Sequence, residues 1–243
     1  MLCAALLLSA PAQAQPADAQ PANPPAAEAA GPDQQPAADN VQSPLPRIET
    51  MEVPSMASLL KDPPVDWVVL ENQLVVICQP VYPRPDTLAK IQQQIDELER
   101  RRRTTPPDEF RTERSKLQKL VLLLPDDDET VYEVDREKVD RILHHEDLIL
   151  MRVDALIAES KFRDAFEMLF LLKRRQPDWP GVENRQNDLL FAEAGIKITA
   201  GEFEPALVLL EELGERNKTY PGLTERMGAA VDGLVAAAVG DED

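Results

Sequence analysis

The run Ser160-Lys161-Phe162-Arg163-Asp164-Ala165-Phe166 returns 41 residues later as Gly201-Glu202-Phe203-Glu204-Pro205-Ala206-Leu207. The same offset carries Met168-Leu169 onto Leu209-Leu210, Leu172 onto Leu213, Arg175 onto Arg216, Trp179-Pro180-Gly181 onto Tyr220-Pro221-Gly222, and Arg185 onto Arg226. Upstream, Leu148 and Ile157 match Leu189 and Ile198. A fixed internal period of this length marks stacked supersecondary units. Each unit reads as a long helix, a tight turn at Ser160 or Gly201, a second helix opening with phenylalanine, and an aromatic-Pro-Gly corner, which together make a helical-hairpin solenoid. Gly201 suits the left-handed conformation that ends a helix. Ala165 and Ala206 let two helices approach closely, and Pro180 and Pro221 stop the preceding helix from continuing.

Working outward, a helix is expected from about Asp135 to Ser160, so that residues 135–240 form the repeat region. His144 and His145, the only histidines, fall inside it. Neighbours on a helix point about 100° apart, so the two rings do not share one metal. A structural or solvent-facing role is expected for both.

Residues 65–134 read as a small α+β module with two hairpins. Trp67–Leu70 and Leu74–Gln79 are apolar, β-branched runs separated by Glu71-Asn72-Gln73. Pro80, Pro83 and Pro85 end the ladder, and Asp86 or Thr87 is expected to cap a helix whose apolar face carries Leu88, Ile91, Ile95 and Leu98. After Pro106-Pro107 a short helix is expected to about Lys116. The second hairpin joins Leu120–Leu124 to Thr130–Val134 through Pro125–Glu129.

From Gln15 to Pro64 the chain holds 11 of its 22 prolines, and all 11 aromatics lie at or after Trp67. Such a segment cannot offset its ordering entropy by burial and is expected to be a disordered tether. Met51, Met56, Leu59 and Leu60 mark a short docking segment as the alternative at its end. Residues 1–14 read as a signal peptide, with an apolar run Leu2–Leu8 and a small-x-small site at Ala12-Gln13-Ala14, which predicts an exported protein of the periplasm or cell envelope. Cys78 is then unpaired and reads as a buried small hydrophobe.

With 44 acidic and 26 basic residues the formal charge is −18, which disfavours a nucleic-acid partner. The arginine run Arg100–Arg103 therefore reads as cations complementing a helix C-terminus. No phosphate-cradling loop, nucleophile elbow, dinucleotide fingerprint or metal-ligand spacing is present, so the expectation is a non-enzyme with no cofactor, no metal and no transmembrane anchor.

The Gly201–Leu207 and Ser160–Phe166 runs resemble the glycine, aromatic, alanine signature of tetratricopeptide repeats (TPRs). That resemblance implies a mainly α protein with TPR-like helical hairpins that bind a protein or peptide. The 41-residue period exceeds the family's 34 by about two helical turns. A looser resemblance spans the folded part. Val81–Leu88, Ile142–Leu148 and Pro177–Gly181 look like the amino-terminal region of large exported bacterial peptide-transport solute-binding proteins. It implies an accessory role in peptide uptake as the alternative function.

The candidate partner-binding residues are Arg152, Asn184, Arg185, Asn187 and Asp188 on the first-helix faces. Arginine suits carboxylates, and asparagine suits an extended backbone. On the last helix, Leu223, Met227, Val231 and Leu234 form an apolar stripe over which a partner or a second copy can dock.

Overall fold

The computed structural model describes residues 45–240, so the expected signal peptide and the tether up to residue 44 lie outside the described residues. The chain is mainly helical with a small β module.

The first hairpin pairs β1 (Asp66–Leu70) with β2 (Val75–Cys78), and the second pairs β3 (Lys119–Leu124) with β4 (Asp127–Asp135). Between them lie α2 (Thr87–Arg100) and α3 (Pro107–Leu117); α1 (Met56–Lys61) precedes β1. Asp86 occupies the N-cap position of α2, but in the left-handed region at φ 55° and without a side-chain capping bond. Thr87 instead donates its hydroxyl to the Pro83 carbonyl. The expected cap is therefore corrected in its chemistry.

The helix expected from Asp135 is also corrected. Residues 136–138 form a 3-10 turn, Val139–Leu143 is a fifth strand (β5), and α4 runs only over His145–Ala158. β5 pairs antiparallel with β1, which makes β1 the centre of a three-stranded sheet ordered β2-β1-β5. Both faces of β1 are buried, and the strand period of two sorts its side chains. Trp67 and Val69 face a core shared with α4 and α5 (Phe162–Arg175), while Val68 joins Cys78, Ile91 and Leu122 in a second core under α2.

The tether expectation is corrected for its last part. Ile48 N–H donates to the Gln73 carbonyl at 2.9 Å and Val75 N–H to Pro46 at 2.8 Å. Leu59 is buried, and Ile48, Met51 and Met56 pack against the first core. Residues 45–64 are a docked strap, because their few apolar side chains find the sheet and α4 within reach.

The remaining helices are α6 (Val182–Thr199), α7 (Phe203–Arg216) and α8 (Leu223–Gly240). Hairpin α4–α5 is followed by hairpin α6–α7, and α6 also touches α4, α5 and α8. The 41-residue offset recurs bond by bond. Lys161 N–H to Leu156 O (2.8 Å) repeats as Glu202 to Lys197 (2.8 Å), and Gln176 to Leu172 (2.8 Å) as Asn217 to Leu213 (2.7 Å). Ser160 and Gly201 both take positive φ, 59° and 79°, as do Gly181 and Gly222 at the corners. Ala165 and Ala206 are fully buried.

Cys78 is fully buried, and burial together with the Asp66 charge pushes its thiol up to about 12. A thiol-specific reagent at pH 8 is expected to leave Cys78 unmodified in the folded protein and to label it in denaturant. Rapid native labelling would contradict this burial.

Candidate functional site

The register of β1 against β5 places Trp67 opposite Leu143, so Asp66 at the strand's start meets His144 at the next position. β5 then runs directly into α4, whose first N–H, that of His145, points back at the same carboxylate. Asp66 is wholly buried and accepts five hydrogen bonds. His145 N–H (2.9 Å) and Arg84 Nη2 (3.1 Å) donate to Oδ1; Val81 N–H (2.8 Å), Arg84 Nη1 (3.1 Å) and His144 Nδ1 (2.8 Å) reach Oδ2.

Burial by itself raises the Asp66 pKa. The hydrogen bonds from His144 and Val81, the Arg84 charge and the His145 N–H together outweigh it and hold the carboxyl below the ordinary aspartate value. Arg84 also pairs with Glu146 and lies 5.7 Å from the Trp179 ring and 5.9 Å from Tyr82. The His144 ring meets Trp179 edge-on at 5.6 Å. Asp147 accepts from His144 N–H at 2.9 Å and from Trp179 Nε1 at 3.0 Å. One buried polar cluster thus joins the α+β module to the first repeat and its corner.

Asp66, His144 and Thr87 fall in the order of a proton-relay triad, with Thr87 Oγ1 3.4 Å from His144 Nε2. Thr87 is only 1% exposed, and its hydroxyl hydrogen goes to Pro83 O. A relay nucleophile gives that hydrogen to the imidazole. The arrangement is therefore built to hold the two parts together.

The repeat reuses half of this clasp. Trp179 on Asp147 becomes, 41 residues on, Tyr220 Oη donating to Asp188 at 2.7 Å. Burial and that bond push the Tyr220 hydroxyl up to about 12. Arg226 takes the place of Arg185, donates to Phe191 O at 2.6 Å and stacks 3.6 Å from the Phe191 ring.

The sequence-predicted site residues are not gathered into one groove. Arg185 makes a two-point bond to Asp154 of α4 (3.1 and 3.0 Å), and Asp188 is held by Tyr220. Asn187 is buried, Asn184 is exposed, and Arg152 is half-buried with its Nε unpartnered. On α8, Leu223 is buried and Met227 packs beside it against α6 and α7, while Leu234 is half-buried and Val231 is 46% exposed. The first half of the stripe is thus core and the second half surface.

Sequence reasoning missed Asp66, Arg84 and Trp179 as one cluster. The available signal was an aspartate heading an otherwise apolar strand. Arg102, Arg111 and Arg114 surround Phe110 at a hollow of about 650 Å³ between α2 and α3, where Glu99 and Asp108 pair with two of them. Among the described residues no group of three or more His, Cys, Asp or Glu is placed to hold a metal ion, and no helix is long and apolar enough to cross a membrane. The chain matches no family model, no curated protein and no solved structure.

Proposed function

We propose that this chain is an exported, non-enzymatic interaction protein that binds a protein or peptide partner through TPR-like repeats. The observation that carries the reading is a stacked pair of rings on the outer face of α5. Phe166 and Phe170 lie 6.3 Å apart at 16°, are 61% and 50% exposed, and have Arg174 beside them. Rigid aromatics flanked by arginine are the side chains from which binding hot spots are made. Arg185, Asp188 and Arg226 are spent on internal bonds, whereas the two rings stand exposed.

The double variant Phe166→Ala/Phe170→Ala tests this, because removing exposed rings leaves the buried cores in place. Crosslinking in the native cell envelope is expected to join the wild-type chain to a specific partner and to lose it with the folded variant. The same partner retained by the variant, or a chain found only in the cytoplasm, would refute the proposal.

A further inference from the structure

The 41-residue offset that relates the two hairpins also compares their outer surfaces, and there the charges invert. On α5 the exposed residues Arg163, Phe166, Phe170 and Arg174 follow one another at three- and four-residue steps, so they form one row along the helix. Moved on by 41, Arg163, Phe170 and Arg174 become Glu204, Glu211 and Glu215 of α7. These three are also exposed and, with Val208 at 63% exposure, form the matching row. Glu167, the carboxylate on the α5 row, has Val208 as its counterpart.

These charges are not used within the chain. Among the described residues the side chains of Arg163, Arg174, Glu204, Glu211 and Glu215 have no ion-pair or hydrogen-bond partner, and Arg174 lies 6.0 Å from the Phe170 ring. Their neighbours behave differently: Glu212 is taken by Arg216 at 2.6 Å, and Lys173 by Gln186 at 3.1 Å.

Both rows have the anatomy of an interface, apolar at the centre and charged at the rim. In each, the end charges are eleven residues apart, or about 16.5 Å along the helix. Between them stand the stacked rings of Phe166 and Phe170 on α5 and Val208 on α7. The two helices hold equivalent places in successive hairpins, with α6 packed against both, so the rows form neighbouring halves of one surface.

We propose that this surface binds a second copy of the chain, α5 of each copy lying on α7 of the other. A two-fold axis requires one patch to match itself, with residue i on residue j and j on i. A surface whose halves carry opposite charge at equivalent places meets that requirement. Arg163 and Arg174 then face the glutamates of the second copy, Glu204, Glu211 and Glu215 face its arginines, and the two rings cover its Val208. A partner of one charge sign matches only one half: an acidic one suits α5 and is repelled by α7. The inference rests on the reading of the α5 rings as a binding face and names what covers them.

Sedimentation of the full chain at 0.15 M salt, where its net charge is screened beyond about 8 Å, tests this. The wild type is expected to be a concentration-dependent dimer. Arg163→Glu/Arg174→Glu and Glu204→Arg/Glu215→Arg each set like charges opposite one another twice over, and each should weaken self-association at least about tenfold. All four positions are exposed, so circular dichroism should show unchanged helix content. If either double variant loses helix, the single reversals Arg174→Glu and Glu215→Arg replace it. Mixing the two variants makes both halves complementary again. The mixture should form a one-to-one dimer that neither forms alone, which a misfolded variant could not do. The proposal is overturned by a wild-type chain still monomeric at about 0.1 mM, where a micromolar dimer is nearly complete. A dimer unaffected by either reversal, or two variants that do not pair, overturns it equally. The reading it rests on fails separately. A dimer formed by a chain found only in the cytoplasm refutes that reading and leaves this one, whereas a monomer whose envelope partner is lost with Phe166→Ala/Phe170→Ala does the reverse.

Discussion

Asp66→Asn is expected to lower stability by about 3–5 kcal/mol at pH 7, the range for breaking one side of a buried ion pair. The substitution keeps the shape, but an amide nitrogen replaces one acceptor oxygen where only donors converge. Either Val81 and His144 or Arg84 and His145 then face an N–H group, and Arg84 keeps only Glu146 as a buried counter-charge. Urea unfolding of wild type and variant measures the difference. A loss below about 1 kcal/mol, the range of an exposed pair, would show that the cluster does not bear on folding.

The same group sets the acid limb of stability. The folded Asp66 pKa lies below the unfolded value of about 3.9. Its contribution is thus complete above pH 4 and is lost as pH falls through the folded pKa. His145 acts at a different pH. Its folded pKa is also lowered, so the unfolded ring takes up a proton first, and stability falls as pH drops below about 6.5 until the folded pKa is passed. Two losses on acidification are expected. His145→Phe should flatten the first, and Asp66→Asn the second.

Leu210→Ala is expected to cost about 2–5 kcal/mol, the range for a large-to-small change in a packed core. The effect should be local. Leu210 is fully buried in a cluster with Ala194, Ala206, Leu213, Leu223 and Ala230, all from α6, α7 and α8. The equivalent Leu169 belongs instead to the core that continues through α4 into the sheet. In a solenoid, stability is a sum over neighbouring units, so the outer unit can open while the inner one stays folded. Hydrogen exchange in Leu210→Ala should show α7 and α8 losing protection while β1 and α4 keep theirs. Uniform loss across the chain would mean that the two cores unfold as one.

Much of this was legible in the residues. The repeat could be read because each unit meets the same local needs with the same residue types. A positive-φ residue closes the turn, alanine sits at the close approach, and an aromatic-Pro-Gly run makes the corner. Those needs are met within a few residues of sequence. Both hairpins were legible for the same reason, through alternating apolar runs and turn residues.

What failed was non-local. Val139–Leu143 is short and fell inside the helix expected from Asp135; it is a strand because the open edge of β1 is there to pair with it. The strap at residues 45–64 is poor in apolar groups and looked unable to fold, yet Leu59 needs only one pocket between the sheet and α4. Arg185 and Asp188 carried charges that suggested a partner, and the neighbouring helices supplied Asp154 and Tyr220 first.

The sequence by itself therefore determined the repeated helical hairpins, the two β-hairpins and the burial of Cys78, since these follow from local periodicity and turn chemistry. Only the tertiary structure decided that Asp66, Arg84, His144 and Trp179 form one buried clasp. Those groups lie as much as 113 residues apart, and a charge can be buried only where the fold brings enough donors to it from several elements at once.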